Sequence, residues 1–230
     1  LQVLTVYLRI YGKAFRDALA AVGRNPWTLL LGVAVLLVRD YSGRLAAPFG
    51  FLGGIVATLL TAAVFSCYLY FLRDLVYGGR VSVRQLQASL GAYLWAIVNV
   101  YFVIWIAALA LELALGRNPN AAALLYALWI VAAVALNAMP EVIYQRQTHG
   151  GMQTLAASWE FLKQQWIPWF AANVPVLAAL AALAAALSFV PLGEVVVGCA
   201  FHLVMVFRGN LFRALDGSSH RRRMFEQRVA

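Results

Sequence analysis

Apolar and polar positions follow two rhythms along the chain. The slower rhythm is a series of long apolar runs: Leu45–Leu72, Leu90–Leu115, Ala121–Met139, Ile167–Val190 and Leu192–Phe207. Each meets, or nearly meets, the roughly 20 residues that a helix needs to cross a hydrocarbon core of about 30 Å. The last run is expected to extend through Arg208, whose side chain would snorkel to the headgroups. A sixth run, Trp27–Val38, is short and spans only if it recruits flanking residues or thins the bilayer. The polar stretches "RDYSGR", "GRNPN" and "VPLGE" read as turns on one side. Proline and glycine supply turn chemistry in the latter two.

The faster rhythm is helical and precedes the first, third and fifth spans. Leu4, Leu8, Tyr11, Phe15, Leu19 and Val22 form one stripe; Val83, Leu86, Leu90 and Leu94 a second; Met152, Leu155, Ala156, Trp159, Leu162 and Trp166 a third. Such helices bury an apolar face at the headgroup boundary. Ser82 with Gln85 matches a capping box, which satisfies free amides at a helix start. Gly78-Gly79 and Gly150-Gly151 open the second and third segments, and a Trp follows the second Gly by 16 and 15 residues; Gly12 precedes Trp27 by 15. The recurrence predicts three units, about 1–72, 73–144 and 145–215, each a surface helix followed by a transmembrane hairpin, with a basic tail over 216–230. Asn25-Pro26 and Ile167-Pro168 predict a break between surface helix and span. The second unit has only Gly91 there and is expected to run on.

Composition fixes the class. The chain is 63% hydrophobic and 12% charged, against about 25% charged in soluble domains. Too little polar surface is present to cover a soluble fold. The fold class expected is an all-α integral membrane domain of six spans. The charge of +9 sets its orientation. With both termini cytoplasmic, all Lys and Arg but Arg39, Arg44 and Arg117 fall inside, as the positive-inside bias demands. The location implied is a membrane that the chain crosses several times. No cleavable signal peptide is expected, since the first apolar run begins at Trp27. Arg9, Lys13, Arg16, Arg221, Arg222 and Arg223 are candidates for contact with anionic headgroups. Membrane lipids and a membrane-protein partner are the expected associations; nucleic acid is not. Cys67 and Cys199 lie in apolar runs and are expected to behave as small hydrophobes.

Polar groups inside spans are costly and often functional. The candidates are Asn99, Asn137, Glu141, Asn173 and His202. Glu112 and Glu194 sit at the outer ends of their runs, within reach of water. Asn99 is expected some ten residues into its span, and Glu141 at the cytoplasmic mouth of the fourth, near Arg146. Pro140 is expected to end or kink that span. Interhelical hydrogen bonding is the ordinary use of such asparagines. No HExxH, G-x-S-x-G or P-loop occurs, and no His or Cys pair has metal-ligand spacing. No catalytic residue, metal or cofactor is expected. Two functions follow: a non-catalytic scaffold, accessory or envelope-lipid protein, or a transporter whose polar path uses Asn99, Asn137, Asn173 and His202.

The segments "RNPWTLLLGVAVLLV", "GGRVSVRQLQASLGAYLWAIV" and "MPEVIYQRQTHGGMQTLAASWEFLKQQWIPWFAANV" together resemble the bacterial YciC-like six-helix inner-membrane proteins. They are also similar to the membrane domain found beside some glycerophosphodiester phosphodiesterases. Pro140, Ala156, Ala157 and Ser158 match the pattern in which a span ends in Pro and a helix follows. The resemblance implies topology and, as location, a bacterial inner membrane. It offers no catalytic residue.

Overall fold

The computed structural model describes residues 2–115 and 121–229, with side chains over 5–114 and 123–217. The described chain is all-α. Its helices are α1 (Gln2–Arg24), α2 (Leu29–Ala46), α3 (Gly50–Val76), α4 (Leu86–Ser89), α5 (Leu94–Leu115), α6 (Ala121–Ala135), α7 (Met139–Arg146), α8 (Gly151–Leu187) and α9 (Gly193–Val229). Five continuous stretches are long and apolar enough to cross a membrane: Pro26–Val76, Leu94–Ala114, Ala123–Arg146, Gly151–Leu187 and Gly193–Gly217.

The first stretch folds back on itself. Ser42 meets Thr61 at 3.2 Å, and a Cβ on Gly53 would lie 2.0 Å from the Ala46 carbonyl oxygen. Thus α2 and α3 are antiparallel arms. The reversal comes at Ala47–Phe49 and Gly50, whose φ of +57° suits glycine. This corrects the expected turn at "RDYSGR": that stretch is helical. None of its residues breaks a helix as firmly as Pro48 and Gly50 do a few positions later.

All three segments expected to lie on the surface are separated from the apolar helix that follows. Asn25 leaves helical geometry (φ −137°, ψ 60°) ahead of Pro26. Gln165 does so inside α8 (φ −128°, ψ 19°), three residues before Pro168, which removes one helical bond and crowds the carbonyl of Gln164. The second unit is broken too, against expectation. α4 ends at Ser89, Gly91 has φ +90°, and Ser66 Oγ accepts from the Tyr93 amide at 2.9 Å. The capping box at Ser82 is present, but the helical segment it opens stops at Ser89.

α1 and the first half of α8 share a three-faced design. In α1, Ala14, Ala18, Ala21 and Val22 are buried against the bundle, chiefly α9. Leu8, Phe15 and Leu19 form an exposed apolar stripe beside that face, and Arg9, Lys13 and Arg16 lie exposed beyond it. In α8, Gly151, Thr154, Ser158, Phe161 and Leu162 are buried. Met152, Trp159 and Trp166 are the exposed apolar stripe, and Gln153, Glu160 and Gln164 the polar one. At 100° per residue, bundle, apolar and polar faces succeed one another in the same rotational order in both helices. The single apolar face expected from sequence is therefore two faces, one protein-facing and one open.

The core gathers where α3, α7, α8 and α9 meet, around Trp169, Tyr68, Phe71, Tyr144, Phe161 and Phe212. α2 and α9 approach closely through glycine. A Cβ on Gly32 would sit 2.3 Å from the Gly198 carbonyl oxygen, and one on Gly198 would sit 2.6 Å from Val33 Cα. Small residues permit such contact between membrane helices.

Candidate functional site

The most polar part of the interior is built by α7, α8 and α9. α6 stops at Ala135, and α7 starts with Met139-Pro140-Glu141. A helix tolerates Pro in its first turn, because that amide has no intrahelical partner. Pro140 therefore opens α7. Glu141 sits in the same first turn, where the helix dipole favours a carboxylate. Its side chain is wholly buried.

Arg208 of α9 meets it with a two-pronged fork. Nε donates to Glu141 Oε1 at 2.8 Å and Nη2 to Oε2 at 3.2 Å. Nη2 also donates to the Asn137 carbonyl at 2.5 Å. The guanidinium lies 5.2 Å from the centroid of the Trp169 ring, where the negative face of the ring attracts a cation. Trp169 Nε1 donates to Asn137 Oδ1 at 3.0 Å, and Asn173 Nδ2 to the Trp169 carbonyl at 2.8 Å. The expected partner of Glu141, Arg146, pairs instead with Asp216 at 2.6 Å near the surface. Arg208 is 5% exposed and does not snorkel. A buried carboxylate is the stronger attraction, since it satisfies the charge without desolvating a lone cation.

Tyr144 walls this cluster. Gln145 Nε2 donates to Tyr144 Oη at 3.3 Å and to the Gly209 carbonyl at 2.9 Å. Gly209 is required there: a Cβ would lie 2.3 Å from Tyr144 Oη and 2.6 Å from Val76 Cγ2.

A second polar level lies around His202. Thr28 Oγ1 donates to the Asn25 carbonyl at 2.7 Å, which spends its only proton. It stands 3.2 Å from His202 Nε2 and must therefore accept from it. His202 thus carries its proton on Nε2, and its bare Nδ1 has no partner among the described residues. Tyr68 Oη and Asn173 Oδ1 are likewise buried without a hydrogen bond there. The Tyr68 and His202 rings meet edge to face, with centroids 5.7 Å apart.

The sequence candidates thus divide. Asn137, Glu141 and Asn173 converge on Arg208 and Trp169. His202 belongs to the other level. Asn99 stands apart from both. It is in the second turn of α5, exposed, and donates to the His149 carbonyl at 3.2 Å, so it is not near mid-span as expected. Arg9, Lys13 and Arg16 are on the exposed face of α1. Arg221, Arg222 and Arg223 lie outside the residues whose side chains are described.

Sequence reasoning missed Asn25 and Thr28, and gave Arg208 a different role. Arg208 is the only charge between Glu194 and Arg213, and that isolation was its signal. Asn25 takes the Val81 amide at 3.2 Å and donates to the Ala21 carbonyl at 3.2 Å. It ties the second unit to the first. Tyr11, outside the spans, donates to the Pro168 carbonyl at 2.9 Å. Burial, with Tyr7 adding, raises its phenol above the usual range.

Among the described residues, no three of His, Cys, Asp and Glu gather as a metal site requires. Of three clefts in the bundle, none is lined by Asn99, Asn137, Asn173 or His202. Comparison with known proteins finds no family model, curated protein or solved structure that matches the chain.

Proposed function

We propose that the chain is a non-catalytic multi-pass protein of a bacterial inner membrane, with six spans, both termini cytoplasmic, and a scaffold, accessory or envelope-lipid role. One observation carries this reading. Arg208, Glu141, Asn137 and Trp169 are bonded to one another inside the bundle, so the charged and amide groups are spent on holding helices together. The antiparallel arms of Pro26–Val76 support six crossings in place of five. The open apolar stripes of α1 and α8 favour helices lying in the interface, where Arg9, Lys13 and Arg16 would meet anionic headgroups. The family resemblance bears on this topology and location alone.

A transporter remains the second reading, because Tyr68 Oη, Asn173 Oδ1 and His202 Nδ1 are buried and unpartnered. Thiol labelling separates the two. With Cys67 and Cys199 replaced by Ser, a Cys at Asn173 or His202 should resist a water-soluble maleimide from either side of sealed vesicles. Labelling of either position in the folded protein reveals a wet path and sinks the non-transport reading. Reporter fusions after Phe49 and after Gly217 test the topology. The first should report the periplasm and the second the cytoplasm.

A further inference from the structure

A cleft of about 240 Å³ opens between α2, α3, α5 and α9, lined by Val35, Arg39, Thr61, Phe65, Tyr101 and Phe201 among others. Its polar groups are one-sided. Arg39 is exposed and makes no hydrogen bond or ion pair among the described residues. The Tyr101 hydroxyl is also without a hydrogen bond there. Thr61 has already given its proton to the Ala57 carbonyl at 2.8 Å and faces Ser42 at 3.2 Å. The cleft therefore offers a guanidinium and a free hydroxyl donor, and no carboxylate among its lining residues. Two free donors of which one is a fixed cation call for an anion. Two further clefts, one between α5 and α6 and one between α2 and α3, have no charged lining residue.

Position adds the second half of the ligand. Thr28 lies beside His202 and Val33 beside Gly198, so α2 and α9 run antiparallel. Arg39 is then about 16 Å along α2 from Thr28, near the level at which α9 begins at Gly193. The Glu141–Arg208 pair lies beyond His202 in the opposite direction. Arg39 thus stands in the half of the bundle opposite that pair, about two helical turns short of the reversal at Ala47–Phe49. In the membrane reading this is the outer half, within a snorkelling side chain's reach of the outer headgroups. Val35, Phe65 and Phe201 continue the wall toward the middle of the bundle.

We propose that this cleft binds an anionic phospholipid of the outer leaflet, with its phosphate on Arg39 and Tyr101 and its first methylenes against Val35, Phe65 and Phe201. The proposal rests on the six-span reading, but the reporter fusions above test that reading separately. Only the lipid measurement tests the cleft.

The test is native mass spectrometry of the full chain in mild detergent with added phosphatidylglycerol, phosphatidylcholine or glycerol phosphate. Phosphatidylglycerol should give a one-to-one adduct that phosphatidylcholine does not. R39Q should weaken that adduct about tenfold or more, as loss of a charged hydrogen-bond partner does. Y101F should weaken it less. R9Q/K13Q/R16Q should leave it unchanged, because those residues lie at the other end. Arg39 has no hydrogen bond or ion pair to lose among the described residues, and Y101F removes one oxygen, so at least one variant tests the site in a folded chain. Equal retention by wild type, R39Q and Y101F overturns the proposal. So does equal retention of phosphatidylcholine. If glycerol phosphate binds as tightly as the lipid, a soluble anion is the ligand and the amphiphile site falls.

Discussion

Glu141 and Arg208 exclude water from both sides of their ion pair, with side-chain exposures of 0% and 6%. Such a pair is poor evidence of net stability, because desolvation offsets the attraction. Removing one member is another matter. E141Q should destabilise the protein by about 3–5 kcal/mol, since it strands a buried guanidinium. E141L/R208M, which removes both charges, should be closer to wild type than either single change. Thermal unfolding of the three variants in one detergent gives the ordering. If E141Q melts with wild type, the pair is not shielded as described. Gly209 makes a steric counterpart. G209A should cost about 1–3 kcal/mol through overpacking against Tyr144. Y144F should recover part of that loss by removing the oxygen in its way. Here sequence reading went halfway. It marked Asn137, Glu141 and Asn173 as costly groups on neighbouring spans. It did not find Arg208 as their centre, because the partner lies 67 positions from Glu141 and a cation at the end of an apolar run looks the same whether it points inward or snorkels outward.

At the level of elements, the chain's helical grammar was legible wherever a local residue enforces it. Proline accounts for the breaks at Asn25 and Gln165, and the Ser82–Gln85 box for the start of its turn. Gly91 was underweighted. A glycine is tolerated inside a helix, so its φ of +90° follows only from the tertiary pull of Ser66 on the Tyr93 amide. G91A should therefore cost about 1–3 kcal/mol from left-handed backbone strain alone, since a Cβ there meets no neighbour within 4 Å. A G91A protein as heat-stable as wild type would show that the break is soft and that α4 and α5 can merge. The three-faced helices escaped notice for a different reason. The buried face of α1 is alanine, which carries little weight in a hydrophobic stripe, while Leu8, Phe15 and Leu19 mark the open face. F15Q/L19Q should loosen α1 from the bilayer and leave the Ala14–Ala18–Ala21 contact in place. Faster amide exchange over α1 in nanodiscs, with unchanged exchange over α9, is the expected pattern. Equal protection in both proteins would mean that the bundle alone holds α1.

Across the whole molecule, cohesion is uneven. Half of the most apolar stretch of α9 is buried within the protein, against 6% for the stretch that contains α6. α9 is the common wall of the fold: α1, α2, α3, α7 and α8 all pack on it. α6 meets little besides α5 and α8, and an apolar cleft of about 190 Å³ lies between α5 and α6 with Leu155 at its edge. Few buried contacts mean a low free energy of local opening. The α6 arm of the α5–α6 hairpin, with the part of α5 that lines this cleft, should therefore open before the core does. Filling the cleft tests that order directly. A108L or A132L adds apolar volume where the cleft has room, at about 0.8 kcal/mol for each methylene it buries. Hydrogen exchange in nanodiscs should slow across α5 and α6 in the filled variants and stay unchanged around Trp169 and Phe212. If the core and the hairpin exchange together in wild type and respond together in the variants, the bundle opens as one unit, and the hairpin is not its weak joint.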